Sequence, residues 1–262
     1  MKIAVSGKGG VGKTTLAAVL ARLYADEGAT VLAADVDPDA NLGMALGFTE
    51  EEVASLTPIS EMSDLIAERT GSSKETFGKF FKINPRVDDI PDRFALEKNG
   101  VKLLVMGTVE TGGGGCVCPE HIMLKRVISN LVVQRDEVVI LDMEAGLEHL
   151  GRGTTDFVDK FIVVIEPGAR SIQTYKKVKE LALDLGVRNV SVVANKVRTD
   201  DDRKYLEERI PEGELLGFIS YSTDVIDADR NALSPFDVSP QTVEDIRSIK
   251  AKIDTEMKGL VK

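Results

Sequence analysis

Cysteine is nearly absent from this chain: two occur in 262 residues, Cys116 and Cys118. A mutual bridge at Cys-x-Cys spacing would be badly strained, so a secreted disulfide scaffold is excluded. Long hydrophobic runs are missing too. The longest apolar stretches, such as residues 161–165, fall far short of the ~20 residues a membrane span needs. An excess of basic charge is likewise lacking: 33 Lys and Arg stand against 43 Asp and Glu, a net charge of −10. That opposes nonspecific nucleic-acid binding, which needs a basic surface, though it leaves room for a local patch. The first residues carry no secretory signal pattern and run straight into a glycine-rich loop. The expected setting is the reducing cytoplasm.

What remains is the composition of a soluble globular protein, 43% apolar and 29% charged. A chain of this length buries roughly 70–75% of its unfolded surface and needs neither disulfide nor metal to hold its core. Short apolar strands are expected at residues 2–6, 30–34, 101–106, 138–142, 161–165, 190–194 and 215–219. Amphipathic helices are expected at 13–27, 121–134, 171–185, 201–209 and 242–258. Continuous apolar strands alternating with helices predict an α/β fold: a mostly parallel, doubly wound sheet covered by helices on both faces. Ligands bind such sheets at the strand C-termini. Residues 49–100 break the rhythm, being polar, interrupted by Pro85 and Pro91, and weakly helical at 61–69 and 74–81. The expectation is one domain over 1–262 with a decorating insertion at about 49–100.

The glycines matter by their placement. Gly7-Lys8-Gly9-Gly10-Val11-Gly12-Lys13-Thr14-Thr15 fits GxxxxGK[ST] between a strand and a helix. Backbone N–H groups of Gly9, Gly10, Val11 and Gly12 can close around phosphates without Cβ clashes, and the helix N-terminus adds positive charge. Lys13 should reach the β- and γ-phosphates, Thr14 should hold Mg²⁺, and Thr15 should lie near the α-phosphate. Two acidic segments follow. Asp35-Val-Asp-Pro-Asp39 places carboxylates after the second strand; Asp37 and Asp39 are both candidates for positioning water, and Asp35 reads as structural or as an outer support for Mg²⁺. Val138–Asp142 is an apolar strand ending in an acid, so Asp142 should hold a Mg²⁺-bound water. Asn195 and Lys196 close another strand. Asparagine amides suit adenine, and Arg198 stands where a guanine motif would carry Asp, which favours ATP over GTP. Residues 219–222 are a further candidate for base or sugar packing.

Thr111-Gly-Gly-Gly-Gly-Cys116-Val-Cys118-Pro119 is the most individual stretch. In extended backbone Cys116 and Cys118 present both sulfurs on one side, which is half of a four-coordinate site. A symmetric dimer would complete it. Four thiolates suit Zn²⁺, Ni²⁺ or an iron–sulfur cluster, and sulfur alone does not choose among them. His121 and His149 are candidate extra ligands, although surface or hydrogen-bonded roles suit them as well.

Lys8 marks the loop as resembling the deviant Walker A, or SIMIBI, class of P-loop ATPases and GTPases. That resemblance implies a lysine reaching across a homodimer to the partner's nucleotide, an Asp37 that positions attacking water, and a Gly146 that senses the γ-phosphate. Taken with Asp142-Met-Glu-Ala-Gly-Leu-Glu-His149, Arg152-Gly-Thr154, Ile165-Glu-Pro167, Asn195-Lys-Val197 and the cysteine pair, nearly the whole chain resembles the CooC family, the nickel-insertion ATPases of carbon monoxide dehydrogenase. The resemblance implies an ATP/ADP-binding, Mg²⁺-dependent ATPase that dimerises with nucleotide. It further implies one Ni²⁺ or Zn²⁺ held between subunits and a client that is carbon monoxide dehydrogenase or acetyl-CoA synthase. Two other readings of the same fold stay open. An iron–sulfur cluster carrier or reductase is one, but such carriers use Cys-x-x-Cys, and the nitrogenase iron protein takes its cysteines from well-separated positions. A ParA/MinD-like positioning ATPase is the other, but the net charge opposes DNA, and residues 241–262 lack the basic–apolar division of a membrane anchor.

Overall fold

The structure is a computed structural model that describes residues 1–37, 39–72, 82–107, 119–134, 137–144 and 158–260. The helix expected at 74–81 lies outside these residues. The elements follow in order: β1 Lys2–Gly7, α1 Lys13–Asp26, β2 Val31–Asp35, α2 Leu42–Ala45, α3 Glu50–Ala54, a 3₁₀ turn Ile59–Glu61, α4 Ser63–Thr70, α5 Ile90–Phe94, β3 Leu96–Lys98, β4 Val101–Val105, α6 Pro119–Gln134, β5 Val138–Asp142, β6 Lys160–Ile165, α7 Ala169–Asp184, β7 Val190–Val197, α8 Asp200–Glu207, β8 Leu215–Ser220, α9 Thr223–Arg230, α10 Pro235–Val238 and α11 Pro240–Leu260.

The strands form one sheet in the order β3-β4-β2-β5-β1-β6-β7-β8, and every pairing but β3–β4 is parallel. The expected α/β architecture is therefore the observed one. Alternation along the strands divides the core. Ala4, Leu32, Ala34, Leu104 and Phe161 pack on one face with α6 and α7, whereas Ile3, Val5, Val31, Ala33 and Leu103 pack on the other with α1 and α11. Each strand is apolar on both sides because each face is covered. No described helix is long and apolar enough to cross a membrane.

The strands and long helices expected from periodicity form within a few residues of their predicted bounds. Shorter elements add to them. β3 was not expected; it joins β4 through Asn99 and Gly100, both at positive φ (52° and 73°). That Asn-Gly pair is the signal for a tight hairpin turn. α3 starts in a capping box, with Thr49 and Glu52 bonding each other's backbone N–H groups. Within 49–100, Ile59, Ile66, Val87 and Ile90 bury in the same core as Leu104 and Val127, so this stretch supplies core residues as well as surface.

Phe161 is fully buried at the centre of one face. Phe161→Ala is expected to cost about 3–5 kcal/mol of unfolding free energy, read from the denaturant midpoint with an unchanged slope.

Candidate functional site

β1, β2, β5 and β6 run parallel, so their C-terminal ends converge at one edge. β1 ends at Gly7, and the chain turns through residues 8–12 into α1. Space at this turn is tight. A Cβ on Gly7 would lie 2.7 Å from the Val164 carbonyl oxygen and 2.8 Å from Val11 Cγ2. Gly12 has φ 92°, and a Cβ there would lie 2.0 Å from Asn195 Nδ2. Only glycine meets both demands. α1 then starts with no side-chain cap and no acid in its first turn. Its N–H groups are left for an external anion, which the helix dipole also favours.

Lys13, the first residue of α1, is buried, and its Nζ lies 2.5 Å from Asp37 Oδ2. Asp37 is itself fixed, because its Oδ1 accepts the Asp39 N–H at 2.9 Å. Asp39 is exposed. Asp35 organises the loop: its two oxygens accept the Asp37 N–H (3.2 Å) and the Leu42 N–H (2.9 Å). Asp35 and Asp142 are paired in register on β2 and β5, side by side at the sheet edge. Burial pushes the Asp35 carboxyl up to about 6 despite those two backbone bonds. Burial pushes Asp142 further, to about 7. The neighbouring Thr14 hydroxyl and Lys13 draw it back, while Asp35 and Asp37 add to the rise. Neither oxygen of Asp142 has a hydrogen-bond partner among the described residues, although the Thr14 hydroxyl is close enough to favour its charged form. Asp142 is therefore an orphaned carboxylate, fully buried beneath the loop. A hard divalent cation with its water shell fits this donor set of carboxylate and hydroxyl.

A cavity of about 840 Å³ opens above these groups, within the size range of small-molecule sites. Gly9, Gly10, Gly12, Lys13, Thr14 and Thr15 form one wall, with Asp37 and Asp39 beside them. Arg198, Ile219, Tyr221, Ile226 and Leu233 also line the cavity. There the Arg198 guanidinium lies 3.8 Å from the Tyr221 ring centroid, a planar cation stacked on an aromatic face. Ser222 and Thr242 add hydroxyls, linked through Ser239 at 3.1 and 2.9 Å.

The structure thus gathers Lys13, Thr14, Thr15, Asp37, Asp39, Asn195 and Lys196 around one cavity, with Asp142 directly beneath. Lys8 is exposed on the same loop. Asn195 commits its amide to protein: Nδ2 donates to the Val11 carbonyl at 2.7 Å, and Oδ1 accepts the Lys196 N–H at 2.8 Å. Cys116, Cys118, Gly146 and His149 lie outside the described residues, and His121 stands in the first turn of α6. Two features escaped the sequence reading as site elements. Glu166 pairs with Lys196, and α9 lines the cavity through Val225, Ile226 and Asp229, beside the expected 219–222 segment, which also lines it. The Glu-Pro pair after β6 was a legible signal for the first; the second depends on long-range packing.

The nucleotide-binding domain family CobQ/CobB/MinD/ParA matches residues 2–236. The chain is 47% identical over 253 residues to the carbon monoxide dehydrogenase accessory protein CooC of Rhodospirillum rubrum, covering 97% of this chain and 96% of that protein. It is 49% identical over 229 residues to an ATP-binding protein of Methanocaldococcus jannaschii, covering 86% and 87%. The MinC:MinD cell division complex of Aquifex aeolicus contains a chain of similar fold, with TM-score 0.70 and 18% identity over 97% of this chain and 96% of that one. The sheet order, the glycine-rich loop opening onto an anion-ready helix and these likenesses agree: the chain belongs to the CooC family within the CobQ/CobB/MinD/ParA class of nucleotide-binding domains.

Proposed function

We propose that this protein is a Mg²⁺-dependent ATPase that works as a nucleotide-gated dimer. In this reading it holds Ni²⁺ or Zn²⁺ between Cys116 and Cys118 of two subunits and serves nickel insertion into carbon monoxide dehydrogenase or acetyl-CoA synthase in the cytoplasm. The observation that carries the ATPase reading is the Lys13–Asp37 pair beneath an uncapped helix N-terminus, beside the orphaned Asp142. The accessory role rests on the likeness to the R. rubrum protein over nearly the whole chain.

The chemistry follows from these side chains. Asp37 neutralises Lys13 at 2.5 Å. An ATP γ-phosphate competes for the same ammonium, so binding frees the Asp37 carboxylate. Asp37 then orients a water and accepts its proton as the water oxygen bonds to the γ-phosphorus. The bond from that phosphorus to the bridging oxygen breaks, leaving ADP and phosphate. Asp37 suits this role better than Asp39, which is exposed and bonds Asp37 only through its backbone N–H. Thr14 and Asp142 would hold Mg²⁺ and its water, and the bound ion neutralises phosphate charge. Lys8, exposed on the loop, is free to reach a partner subunit's nucleotide, where a cation stabilises charge developing in phosphoryl transfer. Nucleotide-driven closure would also move four cysteines relative to one another, so metal and nucleotide affinities would be linked reciprocally.

Lys8→Ala and Asp37→Asn are each expected to lower steady-state turnover about 100-fold or more, while ATP affinity, read by equilibrium titration, stays the same or tightens for Asp37→Asn. Turnover near the parent level in both would refute these roles. Anaerobic loading with Ni²⁺ and sizing in the presence of ATP should retain about one nickel per dimer, lost in the Cys116→Ser/Cys118→Ser double variant. Retention in that variant would remove the thiolate site.

The Asp142 carboxyl, raised from 3.8 to about 7, favours the folded state only while protonated. The unfolded chain ionises first as pH rises, so this contribution is full below about 4 and lost by about 7. Asp142→Asn should therefore stabilise the nucleotide-free protein, and by about 2 kcal/mol more at about pH 8.5 than at about pH 5.5. Denaturant melts at the two pH values check it.

A further inference from the structure

Glu166 and Lys196 stand beside the phosphate loop, and the chemistry above leaves both unused. Lys196 lies near the end of β7 with φ 58°, one of three non-glycine residues at positive φ among those described. The β7–β8 register also shifts between Ala194 and Val197. In a regular strand Asn195 and Lys196 would point to opposite faces. The left-handed residue breaks that alternation, and both side chains reach the same loop. Asn195 Nδ2 donates to the Val11 carbonyl at 2.7 Å, and Lys196 Nζ donates to the Gly10 carbonyl at 2.6 Å. Glu166 Oε1, from the end of β6, lies 2.6 Å from the same Nζ.

The Lys196 and Glu166 side chains are 43% and 36% exposed. Ion pairs that exposed contribute little to folding, and a lysine in the left-handed region is an unfavourable backbone choice. Fold stability therefore does not account for the arrangement. Its geometric effect does. A trans peptide holds C=O and N–H in opposite directions. Pinning the Gly10 and Val11 carbonyls toward β7 turns the Val11 and Gly12 N–H groups away from it. The Val11 N–H then closes onto the Lys8 carbonyl at 3.3 Å, which fixes the turn that carries Lys8.

We infer that Lys196 and Glu166 are positioning residues, a latch between β6, β7 and Gly10 that holds the phosphate loop in its anion-binding shape. The latch acts on the phosphates through backbone and does not read the base. This rests on the nucleotide-binding role of the same cavity.

The test titrates Mg·ADP and Mg·GDP into the full-length parent, Lys196→Gly, Lys196→Arg and Glu166→Gln, with a thermal melt of each. Lys196→Gly removes the latch while relaxing the left-handed backbone. It should weaken ADP about five- to ten-fold, the loss expected for a charged hydrogen-bond donor at a half-exposed site. Its melting temperature should stay level or rise, and the ADP:GDP ratio should not change. Lys196→Arg should keep most of the affinity, and Glu166→Gln should lose about two- to three-fold. Parent-like ADP affinity in Lys196→Gly would overturn the latch. So would a shifted ADP:GDP ratio, which would make Lys196 a base reader, or a lowered melting temperature with no rescue by arginine. A parent protein that binds neither nucleotide would instead refute the nucleotide-binding reading.

Discussion

One ammonium group, Lys13 Nζ, stands against three buried carboxylates, those of Asp35, Asp37 and Asp142. The rest of the site follows from that imbalance. Asp37 takes the cation directly, Asp35 is satisfied by backbone N–H groups, and Asp142 has no partner among the described residues. Buried charge without a partner is expensive, so the sheet around this centre holds it in an unfavourable state. A nucleotide with its divalent cation changes the balance on both sides. In the proposed ATPase, phosphate oxygens would answer Lys13, and the cation would answer the carboxylates. Binding energy is thus stored as unmet electrostatic demand, a common way for sites to be placed at odds with local stability.

The sheet makes the imbalance possible. Parallel strands with matched C-terminal ends set Asp35 beside Asp142 and bring Val5 into register with Asp142. Covering helices keep water away from all of them. The loop between β1 and α1 stays open to phosphate because the helix has no side-chain cap. Its backbone is held from outside by Asn195 and Lys196 on β7, and Glu166 after β6 pairs with Lys196. Acid groups beneath and a brace beside the loop divide the labour between charge and shape.

Much of this was legible along the chain. The strands and long helices follow from apolar periodicity, which depends only on local spacing. The glycine-rich loop, Lys13, Thr14, Asp37 and Asp142 follow from motifs whose spacing is itself the mechanism; the cavity collects all but Asp142, which lies buried beneath it. Short elements were less legible. The β3–β4 hairpin rests on Asn99-Gly100, and α3 on the Thr49/Glu52 capping box. Both signals are present, but they are brief and sit in a polar stretch where no period announces a strand or helix.

Sequence by itself determined the fold class, the phosphate loop and the order in which acids meet it, because each depends on residues close together in the chain. Tertiary structure decided how the groups are partnered. Asn195 lies 184 residues from the Val11 carbonyl it binds, and Lys196 lies 186 residues from Gly10. Whether an asparagine braces a loop or faces a base, and which of several aspartates meets the lysine, depends on distances of a few ångströms. Those are set when β1, β2, β5 and β7 pair in register, and no local pattern in the chain carries them.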